Sequence, residues 1–159
     1  MARKLGIRTI DWLNYIFNDY FLRGDIVIAG SFYYKRIGCN IVTQYKDVDL
    51  VVDETKDDVF HQIMDIVESK YDVMGGFRRA FDGEPIIGAF HVKGYAPVDV
   101  LRNDFTNLRP KIEIIPGVMS HALSDKVLYE TYKMLEHKTK EPKYSSIKEF
   151  FYERSLLLI

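Results

Sequence analysis

Apolar residues between positions 10 and 21 recur close to the helical period: Trp12, Leu13, Ile16, Phe17, Tyr20 and Phe21. With Thr9 as its cap, this spacing predicts a helix over 10–21, broken by Gly24-Asp25. Ile26–Ala29 is short and wholly apolar, the pattern of a strand covered on both faces. Gly30-Ser31 then turns the chain, and Phe32–Ile37 reads as a short helix. The polar stretch Gly38–Tyr45 reads as a loop, Lys46–Val52 as a second strand and 53–56 as a turn. Val59, Phe60, Ile63, Met64 and Val67 mark the inner face of a helix that Thr55 or Asp57 caps and that runs to Lys70.

Alternation replaces the helical period after that. Tyr71–Met74 is strand-like and Gly75-Gly76 is a bend. Phe77–Phe81 and Glu84–Lys93 read as paired strands joined at Asp82-Gly83. Val98–Leu101 is another strand, and Ile112–Ile115, bracketed by Pro110 and Pro116, is an edge strand or extended segment. Ser124 caps a helix to about His137, residues 138–144 form a basic linker, and Ser146 with Glu149 forms a capping box for a last helix. This order predicts an α+β fold: a mixed β-sheet with helices packed mainly on one side, followed by two C-terminal helices. No repeat or boundary divides the chain, so one domain is expected, with its core over about 25–101 and a helical part over about 120–159.

Composition narrows the class. The chain has 159 residues, 47% hydrophobic and 28% charged, enough for a core of its own. A formal net charge of −1 provides no global basic field for nucleic acid, although Lys133, Lys138, Lys140 and Lys143 bias the C-terminal part. No apolar run reaches the roughly 18–20 residues that span a bilayer, and the basic N-terminus lacks an apolar signal core. No membrane association is expected. Cys39 is the only cysteine, which points to a reducing, cytoplasmic compartment. The apolar tail Leu156–Ile159 packs on the core or on a second copy, so a homodimer is open.

The polar positions inside apolar strands carry the chemistry. Side chains alternate along a strand, so Asp47 and Asp49 share a face, and Val51 continues it. Two carboxylates one pleat apart repel unless a cation lies between them. Asp99, between Val98 and Val100, needs a partner or a metal; Arg102 and Arg78 are the rival partners. The three together suit an oxygen-rich site for Mg²⁺ or Mn²⁺. A strand ending in Gly30-Ser31 and entering a helix leaves backbone N–H groups free to meet a phosphate, with Lys35 and Arg36 following. The histidines at 61, 91, 121 and 137 have no metal-ligand spacing, and no Walker loop or nucleophile elbow is present.

Ile28-Ala29-Gly30-Ser31, then Asp47-Val48-Asp49-Leu50, then Val98-Asp99-Val100 resembles the DNA polymerase beta-type nucleotidyltransferase superfamily, as a small single-domain member. The resemblance covers about residues 25–101. It implies that Asp47 and Asp49 bind both Mg²⁺ ions, that Asp99 binds the catalytic ion and helps deprotonate the acceptor hydroxyl, and that Gly30 and Ser31 hold the β- and γ-phosphates. Lys35 joins them as a nucleotide-binding candidate. The implied activity moves a nucleoside monophosphate from a nucleoside triphosphate such as ATP to a hydroxyl on an RNA end, a protein or a small molecule. Two features depart from the family pattern: the stretch Gly38–Tyr45 lengthens the interval before Asp-x-Asp, and Phe32, Tyr33 and Tyr34 replace small residues and an arginine. The alternative is a non-catalytic binding module of the same fold, antitoxin- or adaptor-like.

Overall fold

The computed structural model describes residues 2–39, 45–56, 58–75, 78–79, 86–103, 105, 108–124 and 142–157. Helix α1 spans Ala2–Ile16 and α2 spans Asn18–Arg23. Strand β1 (Ile26–Ala29) runs into α3 (Gly30–Arg36), followed by β2 (Val48–Asp53) and α4 (Asp58–Lys70). Then come β3 (Arg78–Arg79), β4 (Ile86–Phe90), β5 (Val98–Asn103), the hairpin β6 (Arg109–Ile115) and β7 (Val118–Ala122), and α5 (Pro142–Leu157). The main sheet has five strands in the order β1-β2-β5-β4-β3. Only β2 and β5 pair parallel; every other neighbouring pair is antiparallel. This is the α+β architecture with a mixed sheet that the sequence pattern predicts.

The central strands are apolar because both of their faces are covered. Val27 and Val51 on one face, and Ile28, Leu50 and Val100 on the other, are fully buried. Lateral cover comes from β7: its buried Ser120 hydroxyl accepts a hydrogen bond from Ile28 N–H at 3.2 Å, on the side of β1 away from β2. An edge strand that would otherwise expose a free N–H is thereby closed. Among the described residues no helix is long and apolar enough to cross a membrane.

Four elements differ from the sequence expectation, each for a local reason. Thr9 lies inside α1 and is no cap. Its hydroxyl donates to Leu5 O four residues back at 2.7 Å, so the helix passes through it. The buried residues are Gly6, Thr9, Ile10, Trp12 and Leu13, and Gly6 belongs there because a Cβ would sit 2.7 Å from Phe32 Cε2. The segment Tyr71–Met74 contributes only an isolated bridge, Val73 to Val92. Strand β7 has no counterpart in the expected elements; Pro116-Gly117, with Gly117 at φ 82°, makes the two-residue turn that creates it. Finally, α5 starts at Pro142, so Ser146 and Glu149 lie within the helix. Proline suits a first helical position because its missing N–H would be unpaired there anyway. Beyond its expected cap Ser124, the helix expected to about His137 lies outside the described residues, as does the hairpin tip Asp82-Gly83.

Candidate active site

Register builds the site. In the parallel pair β2–β5, Asp49 stands directly opposite Asp99. Paired residues on neighbouring strands share a face at about 4.8 Å between backbones, so the two carboxylates start side by side. On the outer sides, Asp49 pairs with Ala29 of β1 and Asp99 pairs with Ala89 of β4. One row across the sheet therefore reads Ala29, Asp49, Asp99, Ala89: two acids between two methyl groups. One step along the same face the residues are Val27, Val51 and Leu101, all buried. Both acids are half-buried, at the boundary between packed core and solvent.

The β1–α3 junction closes one side of this row. Gly30 follows Ala29 at φ 70°, a conformation L side chains rarely adopt. An added Cβ would lie 2.8 Å from Asp49 Cγ and closer still to Oδ2, so the carboxylate occupies the space a side chain would need. Ala29 gives α3 no side-chain cap, so the first N–H groups of that helix depend on other partners. Ser31 is the next residue of the turn and is half-buried. Phe32, Tyr33 and Tyr34 turn into the core, where Tyr33 donates a hydrogen bond to Leu123 O at 3.4 Å and the Phe32 ring lies 4.8 Å from that of Tyr45. Their size is a packing matter. Lys35 is the first exposed side chain after Ser31, while its neighbour Arg36 donates to Glu113 O at 2.6 Å.

The candidates thus divide. Asp49, Asp99 and Gly30 are brought together; Ser31 adjoins them in sequence. Asp47 stands one residue before β2 and is exposed, and Lys35 is on the last turn of α3. Among the described residues no group of three or more His, Cys, Asp or Glu side chains could by itself hold a metal ion. Two adjacent carboxylates still fit Mg²⁺, which is commonly held by one or two carboxylates and takes its other oxygens from substrate phosphates and water. Of the rival arginines, Arg102 is three residues from Asp99, hence on the opposite face, and is exposed. Arg78 pairs with Ala89 and so occupies the same row, two strands from Asp99.

Sequence reasoning did not find what holds β5 in place. The hydroxyl of fully buried Thr9 accepts a hydrogen bond from Ala96 N–H at 2.8 Å, three residues before Asp99. Beside it, Trp12 stacks on Tyr95 with centroids 4.2 Å apart. Helix α1 is therefore clamped to the entry of β5. A buried threonine on an otherwise apolar helix stripe was the available signal.

No protein-family profile and no curated protein sequence matches the chain. Among solved structures it is similar to ANT(2")-Ia in complex with adenylyl-2"-tobramycin, at 13% identity and a TM-score of 0.57, with 94% of this chain and 93% of that one covered. On this likeness, joined to the strand order and the acid row, the chain has the DNA polymerase beta-type nucleotidyltransferase fold.

Proposed function

We propose that the chain is a metal-dependent nucleotidyltransferase that moves a nucleoside monophosphate from a nucleoside triphosphate to a hydroxyl acceptor. The observation that carries this reading is the in-register pair Asp49–Asp99 with Gly30 against Asp49. Burying two carboxylates side by side is costly unless a cation or hydrogen-bond donors offset their repulsion. An enzyme that must gather a polyphosphate needs such a pair beside a turn whose backbone a phosphate can approach.

In this reading Mg²⁺, when bound, neutralises the developing charge on the transferring phosphoryl group. The residues do the rest. Asp49 and Asp99 fix the position of the cation, with Asp47 at the mouth of the site as a further ligand. Gly30 lets the triphosphate lie close to the backbone, the Ser31 hydroxyl donates to a β- or γ-phosphate oxygen, and Lys35 adds positive charge at the rim. An Asp99 carboxylate oxygen takes the proton of the acceptor hydroxyl as its oxygen attacks the α-phosphorus and pyrophosphate leaves in line. The donor is ATP or another nucleoside triphosphate. The acceptor classes are an RNA end, a protein hydroxyl and a small hydroxylated molecule; the ligand of ANT(2")-Ia, an adenylylated small molecule, favours the last.

The deciding experiment is thermal unfolding with Mg²⁺ or Mn²⁺ and ATP, alongside labelled-nucleotide transfer into RNA, protein and small-molecule extracts. Ligand-dependent stabilisation that disappears in Asp49→Asn and Asp99→Asn supports the enzyme. An unchanged melting curve with every combination supports the non-catalytic binding module.

A further inference from the structure

We propose a second binding site, for an uncharged polyhydroxylated small molecule of the saccharide type, in the cleft between the outer face of α1 and Tyr95. The cleft has a volume of about 630 Å³, within the usual range for small-molecule sites. Its floor is the Trp12–Tyr95 stack, and Arg8 covers Tyr95 at 5.4 Å from the ring centroid. Tyr15 stands at the edge, 83% exposed, a large aromatic face on a helix surface where solvent would favour a polar residue.

The polar groups select the ligand class. Arg8 and Asp11 line the cleft three residues apart on the helix, and no ion pair joins them. They contribute one positive and one negative charge, so the lining is neutral overall and offers nothing to a triphosphate or a polynucleotide backbone. Asn14 and Asn18 each add a donor and an acceptor. Asp11 only accepts and Arg8 only donates. A hydroxyl does both, and a ring carrying several hydroxyls can satisfy this alternating set while its C–H face lies on Tyr15. The unpartnered group is Trp12: the residue is 7% exposed, and its buried indole N–H finds no acceptor among the described residues.

Trp12 is the only tryptophan, so indole fluorescence reports on this site alone. The full chain is titrated, with neither nucleotide nor metal, with glucose, N-acetylglucosamine, sucrose and myo-inositol, and separately with ATP and an oligothymidylate. The expected result is a saturable change with at least one neutral compound, at a dissociation constant in the millimolar range or tighter. It weakens about tenfold or more in Tyr15→Ala and in Asp11→Ala, a loss of about 1.4 kcal/mol. Both side chains are exposed, so both variants should melt with the parent protein. No response to any of the four, a response to ATP or the oligonucleotide alone, or an equal response in the folded variants overturns the site.

Discussion

Gly30 and Asp49 occupy one space: the carboxylate of Asp49 lies where a side chain at Gly30 would have to go. The relationship couples the turn to the acid row, because the turn cannot take a larger residue without moving Asp49. Gly30→Ala adds a Cβ at φ 70° and pushes it against that carboxylate. The expected cost is about 1–3 kcal/mol in stability from the strained backbone alone. Nucleotidyl transfer should fall by a larger factor than stability accounts for. Urea unfolding together with single-turnover transfer checks both; a variant that keeps full activity would contradict the placement of Asp49.

Asp49→Asn and Asp99→Asn each remove one of two adjacent negative charges. The metal-free variants should unfold at or near the parent temperature, because the lost repulsion offsets lost hydrogen bonding. Addition of Mg²⁺ and ATP should stabilise the parent and leave both variants unmoved, which differential scanning fluorimetry measures. The paired design matters. A destabilised apo variant would mean that the carboxylates act as structural acceptors, and the metal reading would lose its support.

Much of this was legible in the chain because buried strands are written as apolar runs. Ile26–Ala29 was bounded correctly, and the acids at 49 and 99 stood out as the polar positions in such runs. What could not be read is register. The row Ala29–Asp49–Asp99–Ala89 joins residues up to 70 positions apart, and its small flanking side chains gain meaning only once the strands are aligned. Asp47 shows the same gap from the other side: alternation puts it with Asp49 only if the strand has begun, and β2 begins at Val48. Thr9 misled for a chemical reason, since a threonine hydroxyl serves a cap and an i−4 carbonyl equally well.

Thr9 therefore makes a test of positioning. Thr9→Val keeps the shape and leaves the buried Ala96 N–H without its acceptor. A cost of about 1–3 kcal/mol is expected in denaturant unfolding. Thr9→Ser retains the oxygen and should recover most of it. If Ala96 anchors β5, the Val variant should also lower kcat more than it raises KM for nucleotide, since Asp99 follows three residues later.

Lys35 separates a nucleotide contact from a structural role. It is exposed, and no packing depends on it, so Lys35→Ala should leave the melting temperature within about 1 °C of the parent, as surface substitutions usually do. Its neighbour Arg36 is tied to the Glu113 carbonyl, which holds the end of α3 against β6 and fixes where Lys35 starts. A lysine near a triphosphate acts as a point charge, screened by solvent and salt. The variant should raise KM for nucleotide by about three- to tenfold at low salt, with kcat unchanged, and the difference should shrink as salt increases. Steady-state kinetics at two ionic strengths reads this directly. A KM that does not move at low salt removes Lys35 from the nucleotide site.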